Sequence, residues 1–260
     1  MNLKKNIISL FDDRTAGSSS LLNKLNKIMR EDMGRTEYLS LIIAEGRKRF
    51  IDFSIVLNYL DEIEATLGDK DALTRTIDFY DDYENKVNEN IFANGNEYFL
   101  KSSKILTLSN SFTIANFLTR LIKVNNKLEV IVTESRPRNE GRILTKNLIK
   151  HGIPVEFITD FSCASYLPLI DAVITGADKI LSTGNIVNKT GSRNLAILCM
   201  YYNKPFYVIT SNNKKSKDSE YIPEDRNPEE VWRYRDNKLK VRNYYFEEIE
   251  RGLITEVITD

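Results

Sequence analysis

Residues 171–192 read D-A-V-I-T-G-A-D-K-I-L-S-T-G-N-I-V-N-K-T-G-S, and this stretch decides the fold that we predict. It opens with the apolar run Ala172 to Thr175, which is typical of a buried strand in a parallel sheet. The run stops at Gly176, and one carboxylate, Asp178, follows. Open α/β sheets bind their ligands beyond the carboxyl ends of the strands. Asp178 is therefore a candidate acid or base.

The same stretch ends in Asn188-Lys189-Thr190-Gly191-Ser192, immediately before an apolar helix. Free N–H groups at a helix start point toward whatever binds there, and the helix dipole favours an anion. A lysine beside a Gly-Ser pair therefore predicts a phosphate site, although the glycine spacing is not that of a P-loop. Plain capping of the helix is the structural alternative.

Outward from this stretch, short apolar runs alternate with helical patterns at the spacing of βαβ units, which predicts a parallel, doubly wound sheet. The predicted strands cover 105–108, 128–133, 155–158, 172–175 and 206–209. The first hundred residues instead show helical periodicity, with predicted helices over about 21–29, 37–51, 55–67 and 73–91. We therefore predict an α/β protein with an N-terminal helical domain over 1–100 and a Rossmann-like domain over 101–260.

Composition excludes several classes of protein. The chain has 260 residues, 42% of them hydrophobic, and its 37 basic and 37 acidic side chains cancel, which gives no support for direct binding to nucleic acid or membranes. The two cysteines, Cys163 and Cys199, lack metal-ligand spacing and fit a reducing compartment. No apolar run approaches the roughly 18 residues of a membrane span, and the N-terminus does not resemble a signal peptide. We expect a cytoplasmic protein without metal or cofactor.

Polar clusters follow other predicted strands at the same edge of the sheet. Ser109-Asn110-Ser111 follows the first strand, Glu134 to Arg142 follows the second, and Lys214 lies just past the fifth. Each could line one crevice with Asp178, with Arg136 and Lys214 as cations for a polar ligand. The alternatives are helix capping for the serines, a solvated loop for 134–142 and a mobile face for the lysine. His151 is the single histidine, so no histidine-based triad or metal cluster is possible.

Six ordered motifs carry a family resemblance: E-S-R-P-x-x-E-G-R, G-I-P-V-x-x-I-T-D, V-I-T-G-A-D-K-I, G-N-I-V-N-K-T-G-S, P-F-Y-V-I-T and N-P-E-E-V-W. Together they closely resemble the family of the alpha, beta and delta subunits of translation initiation factor 2B. That family also contains methylthioribose-1-phosphate isomerase and ribose-1,5-bisphosphate isomerase. The resemblance is strong over 105–260 and weaker in the helical part. It implies a site between the helical and Rossmann-like halves.

The resemblance also implies roles for individual residues. Asp178 falls on the catalytic aspartate of the isomerases, and Arg49 on the arginine of a second motif, where proline is usual instead of Phe50. The implied ligand-binding positions are the loop Arg14-Thr15-Ala16-Gly17, which normally reads Arg-Gly-Ala, the pair Asn188 and Lys189, Lys214, and Ser111, Phe112 and Thr113. With Arg136 and Gly191 from the polar clusters, these residues form the predicted substrate site.

One departure from the family bears on catalysis. The isomerases carry a cysteine in I-L-T-H-C, and this chain reads Ile105-Leu106-Thr107-Leu108-Ser109. Isomerisation of an aldose to a ketose moves a proton between adjacent carbons, so a group must ionise near neutral pH. A thiol can be tuned to do so, whereas a serine hydroxyl needs a base to activate it. Ser109 is therefore only a candidate for the second catalytic position.

Two functions remain open at this point. The first is a sugar-phosphate isomerase acting on a pentose 1-phosphate such as methylthioribose 1-phosphate or ribose 1,5-bisphosphate. The second is a non-catalytic regulatory subunit of the initiation factor 2B type, which binds a sugar phosphate or a nucleotide. In both, the resemblance implies a homodimer or higher homo-oligomer. The aromatic tail around 244–254 suits such a contact, and core packing explains it equally well.

Overall fold

The computed structural model describes residues 3–13 and 17–260. The described chain begins with helices: α1 (Lys5–Phe11), α2 (Ser18–Glu31), α3 (Thr36–Arg49), α4 (Ser54–Thr66), α5 (Lys70–Asp81) and α6 (Tyr83–Gly95). The first strand of the structure begins only at Lys104. The predicted order, helices first and a βα alternation afterwards, is confirmed.

Two details of the helical half differ from the prediction. The single helix expected over 73–91 is two helices that meet at Asp82, whose backbone angles of −111° and 2° leave the helical region. Helix α1 was not predicted, although Ile7, Leu10 and Phe11 are buried at helical spacing. A seven-residue helix carries too few periods for its pattern to stand out in the sequence.

The second half forms a six-stranded parallel sheet in the order β3-β2-β1-β4-β7-β9. Its strands are β1 (Lys104–Thr107), β2 (Glu129–Thr133), β3 (Val155–Ile158), β4 (Ala172–Thr175), β7 (Phe206–Ile209) and β9 (Glu256–Ile258). The chain builds outward from β1 to one side and then from β4 to the other. The strand order therefore reverses between β1 and β4, and this reversal is where doubly wound sheets bind ligands.

Helices cover both faces of the sheet: α7 (Phe112–Val124), α8 (Gly141–Lys150), α9 (Cys163–Tyr166) and α10 (Ser192–Tyr201). Alternate strand residues enter opposite cores, because successive side chains of a strand point to opposite faces. Ile105 packs in the larger cluster with helices α1 to α8, whereas Leu106 packs in the second cluster with α9 and α10. None of the described helices is long and apolar enough to cross a bilayer.

A small antiparallel sheet was not predicted. It joins β5 (Lys179–Ile180), β6 (Ile186–Lys189) and β8 (Phe246–Ile249) in that order. The segment between Asp178 and Ser192 is thus a hairpin, and Lys189 pairs in register with Phe246 of the tail. The tail packs in the cores as well, since Phe246, Ile249, Ile254 and Ile258 are all buried.

Candidate active site

A cavity of about 330 Å³ lies at the strand reversal, between the carboxyl ends of β1 and β4 and the N-terminal helices. Its walls come from both halves of the chain. The predicted site residues that line it are Gly17, Arg49, Ser109, Ser111, Phe112, Asp178, Asn188, Lys189 and Lys214.

Asp178 enters the cavity two residues after Gly176, the glycine that follows β4. Its backbone N–H donates to the carbonyl of Val187 at 2.8 Å, so the hairpin holds it in place, and the Ser18 hydroxyl donates to its carboxyl. Burial raises the pKa of Asp178 above its usual value, against the opposing charges of Lys214 and Lys189. The carboxyl therefore keeps its proton to a higher pH than an exposed aspartate does.

Lys214 is a buried cation beside Asp178. The side chain is 4% exposed, and its ammonium group donates to the carbonyl oxygen of Ala177 at 2.7 Å. The short 3-10 turn that carries it follows β7, and its Ser211 side chain accepts a hydrogen bond from the Asn213 N–H. Behind it lies Glu84, whose pKa burial raises despite the attraction of Lys214. Its contacts hold Lys214 in the cavity, so the alternative of a mobile surface lysine does not apply.

Lys189 enters from β6 and forms a buried ion pair. Its ammonium group lies 2.7 Å from Glu140 Oε1, and it sits over the rings of Tyr245 and Phe246 at 5.0 and 5.3 Å. The neighbouring Asn188 uses its amide nitrogen within the protein, donating to Thr175 Oγ1 at 2.6 Å and Ser192 Oγ at 2.8 Å. The side chains of Asn188 and Lys189 are therefore held by residues at the end of β4 and at the starts of α8 and α10.

The start of α10 differs from the expectation of a free phosphate cradle. The N–H groups of Gly191 and Arg193 both donate to Glu247 Oε1, at 2.7 and 2.8 Å. Gly191 does not line the cavity, and its φ of 104° is the left-handed conformation that favours glycine. A carboxylate of the protein thus occupies the position that we predicted for the phosphate.

The turn after β1 brings three predicted residues to the cavity. Ser109 has a φ of 64°, which is uncommon for a side-chain-bearing residue, and its N–H donates to Ser135 Oγ at 2.7 Å. Ser111 caps α7, accepting from the Ile114 N–H at 3.3 Å, so the capping alternative holds for it although it also lines the cavity. Phe112 lines the cavity as well. A non-glycine residue in the left-handed backbone conformation is strained, and such residues cluster at active sites and ligand-binding sites.

Two further predicted residues lie away from the cavity. Thr113 is buried in α7 and does not line the cavity, and Arg136 is exposed and donates to the backbone oxygen of Val231 at 3.3 Å. Arg49 does line it and is exposed, with Asp12 as an ion partner at 3.5 Å. Arg14, Thr15 and Ala16 lie outside the described residues.

Several residues of the cavity wall were not predicted as site residues. Glu140 belongs to the polar segment after β2 but was not singled out, Asp52 lies three residues after Arg49 in the same motif, and Arg226 and Tyr245 come from loops with no motif. Arg226 forms an ion pair with Asp52, which also accepts from the Tyr221 hydroxyl at 3.1 Å. This contact ties the helical half to the loop before β8. Within 3–13 and 17–260, no group of three His, Cys, Asp or Glu side chains could hold a metal ion.

Comparison with known proteins identifies the family. A sequence profile described as the initiation factor 2 subunit family matches residues 6–260. The chain belongs to the initiation factor 2 subunit family. Its likeness to solved structures agrees: the translation initiation factor eIF-2B of Pyrococcus horikoshii superposes with a TM-score of 0.84 over 99% of this chain and 96% of that one, at 23% identity. At 23% identity, this likeness shows that the two proteins share a fold and no more.

Curated members of the initiation factor 2 subunit family include enzymes. Methylthioribose-1-phosphate isomerase of Thermotoga maritima is 32% identical over 84% of this chain and 71% of its own length. Ribose 1,5-bisphosphate isomerase of Methanocaldococcus jannaschii is 31% identical over 84% of this chain and 73% of its own length. The resemblance read from the sequence motifs is thereby confirmed at the level of the family.

Proposed function

We propose that this chain binds a phosphorylated sugar in the cavity and isomerises it from aldose to ketose. The observation that carries the proposal is the carboxyl of Asp178, whose pKa is raised and which shares one cavity with the buried cations Lys189 and Lys214. The substrate class follows from the two isomerases to which the chain is similar, both of which are named for pentose 1-phosphates.

The cavity offers separate groups for binding and for proton transfer. Lys189, Lys214 and Arg49 are cations on its wall, and a phosphate group needs such partners when it leaves water. Arg14, from the predicted phosphate-binding loop, is a further cation in the proposal. Asp178 is the acid: a carboxyl with raised pKa can donate its proton to the ring oxygen of the sugar as the ring opens. Such a step contributes about 10²–10⁴-fold to a rate.

A second function, a non-catalytic regulatory protein that binds the same class of ligand, is favoured by one observation. Ser109 stands at the turn after β1, where the isomerases carry a thiol, and the cavity wall described here includes no histidine that could activate its hydroxyl. In this alternative the ligand binds through the same cations, and Asp178 transfers no proton. The two functions therefore differ in turnover and agree in binding.

Ligand binding followed by turnover distinguishes the two functions. Methylthioribose 1-phosphate, ribose 1,5-bisphosphate, ribose 5-phosphate and AMP would each be added to the protein in a thermal-shift assay, with Lys214→Met as the binding-deficient variant. Any ligand that raises the melting temperature of the wild type alone would then be incubated with the protein and followed by NMR. Conversion to the ketose supports the isomerase, and binding without conversion supports the regulatory protein. No stabilisation by any phosphate would refute both.

We also propose that the protein forms a homo-oligomer, as the family resemblance implies. The tail around 244–254 is used mostly within the fold, so it does not supply the contact surface as a whole. Exposed apolar side chains instead lie on α10, at Ile197, Met200 and Tyr201. Light scattering after size-exclusion chromatography measures the oligomeric state, and Met200→Lys with Tyr201→Lys is expected to shift an oligomer toward the monomer.

A further inference from the structure

We propose that Glu140 is the second proton-transfer group of this site, the base that carries a proton between carbons 2 and 1 of the sugar. This assignment adds a residue to the proposed isomerase function and rests on that function. It assigns the position that Ser109 was predicted to fill.

The reaction needs two groups for its protons to balance. Asp178 gives its proton to the ring oxygen as the bond between that oxygen and carbon 1 breaks. A base removes the proton from carbon 2, and the electron pair of that bond forms the double bond to carbon 1. Asp178 then takes the hydroxyl proton of carbon 2, the carbonyl forms there, and the base returns its proton to carbon 1. Both groups end as they began, and no external oxidant or reductant is required.

The thiols and the imidazole of this chain are poorly placed for the second role. Burial raises the pKa of Cys163 to about 11 and that of Cys199 to about 12, and both lie in the core between the sheet and the helices α9 and α10. His151 follows the last residue of α8 and hydrogen-bonds to the backbone of Asn147 there. None of these three residues lines the cavity.

The carboxylates of the cavity wall are the remaining bases. Asp52 accepts hydrogen bonds from Tyr221 and Arg226, one on each oxygen. Asp13 lies in an ion pair with Lys24 at 2.7 Å. The other two are Asp178, which is already the acid, and Glu140.

Glu140 is arranged as a base would need to be. Its side chain is 9% exposed, Oε1 is held by Lys189 at 2.7 Å, and for Oε2 the described part of the chain offers no hydrogen-bond partner. One oxygen is thus fixed, and the other is a buried acceptor on a residue that lines the cavity, so it is the oxygen that a sugar would have to reach. A carboxylate can remove a proton from carbon, as the glutamate base of triosephosphate isomerase does.

Glu140 stands immediately before a helix start that packs closely on the sheet. Gly141, which begins α8, approaches β2 so closely that an added Cβ would lie 1.8 Å from the carbonyl oxygen of Thr133. The start of α8 therefore lies directly against the backbone of β2. Lys189 links Glu140 to Asp178 as well, because its positive charge lowers the pKa of that aspartate. The charge of Lys189 therefore acts on both carboxyl groups, Glu140 and Asp178.

The test compares Glu140→Gln and Glu140→Asp with the wild type. Each protein is incubated in D₂O with methylthioribose 1-phosphate and with ribose 1,5-bisphosphate, and NMR follows conversion and deuterium at carbon 1. We expect Glu140→Gln to lose about 10²-fold or more in rate. Glu140→Asp, which withdraws the carboxylate by roughly 1 Å, should lose about 10-fold to 10²-fold and still place deuterium at carbon 1. Glu129→Gln, an exposed surface glutamate on β2, is the matched control.

Ligand-induced thermal shifts separate a catalytic role from a structural one. The proposal requires that Glu140→Gln is still stabilised by the sugar phosphate. It is overturned if Glu140→Gln converts the substrate within about threefold of the wild-type rate, or if that variant folds but no longer binds. Should Glu140→Gln not fold, an unchanged rate in Glu140→Asp overturns it. A wild type that binds but converts neither sugar refutes the isomerase itself, whereas an active Glu140→Gln refutes only this assignment.

Discussion

Replacing Lys189 by methionine is expected to destabilise the protein by about 3–5 kcal/mol, because it leaves the charge of Glu140 buried without its partner. The two side chains are only 10% and 9% exposed, and their charged atoms are 2.7 Å apart. Methionine keeps most of the aliphatic stem, so lost packing contributes little. The ammonium group also leaves the rings of Tyr245 and Phe246, contacts that contribute about 0.5–2 kcal/mol.

Urea unfolding followed by circular dichroism measures this effect, with midpoint and slope compared between variants. The double variant K189M/E140Q removes both charges and should recover most of the stability lost in K189M, since a buried ion pair replaced as a whole is often neutral. A cost below about 1 kcal/mol for K189M would refute this reasoning. So would a double variant no more stable than K189M, because the cost would then lie in packing.

Two further stability changes follow from the structure. Gly141→Ala should lower the free energy of unfolding in urea by about 3 kcal/mol or more, because the added Cβ would lie 1.8 Å from the carbonyl oxygen of Thr133. The control Gly68→Ala, whose added Cβ meets no atom within 4 Å, should change stability by less than about 1 kcal/mol. Equal effects of the two substitutions would contradict the steric argument. Burial raises the pKa of Asp178 in the folded protein, so the wild type loses stability as pH rises from the usual pKa of 3.8 toward the higher folded pKa. Asp178→Asn should therefore melt at a higher temperature than the wild type at neutral pH and show no such advantage below pH 3.8. A lower melting temperature of the variant at neutral pH would contradict this reasoning.

The central strands β1, β2 and β4 could be predicted from the sequence because they are buried on both faces, whereas the edge strand β9, which is only partly buried, was not predicted. Strands buried on both faces read as short continuous apolar runs, so β4 was predicted with the bounds that the structure shows, Ala172–Thr175. The β5–β6 hairpin could not be predicted, since β5 has only two residues and β6 depends on pairing with β8, nearly sixty residues later in the chain. The break at Asp82 depends on one backbone conformation that apolar periodicity does not reveal.

The candidate site was predictable where residues follow strand ends. Asp178 and Lys214 follow neighbouring parallel strands within a few residues, and topology alone brings such residues to one edge. The polar segment after β2 shows the limit of that argument. Composition does not reveal that Arg136 turns to solvent while Glu140 is buried against Lys189, because the ion partner lies on another strand.

The helix start at α10 shows a second limit. Its N–H groups were expected to bind a phosphate, and they bind Glu247 instead. The acceptor is 56 residues away in sequence and reaches the helix because β8 pairs with β6. Local motifs reveal which donors a helix start offers, and only the tertiary fold determines which acceptor takes them.

The rate of Asp178→Asn relative to the wild type tests the central claim most directly. Methylthioribose 1-phosphate and ribose 1,5-bisphosphate would be incubated with each protein, and NMR would follow formation of the ketose. We predict conversion by the wild type and a loss of about 10²–10⁴-fold in the variant, with ligand-induced thermal stabilisation retained in both. Equal rates in the two proteins, or a wild type that binds the sugar phosphate without converting it, would contradict the claim.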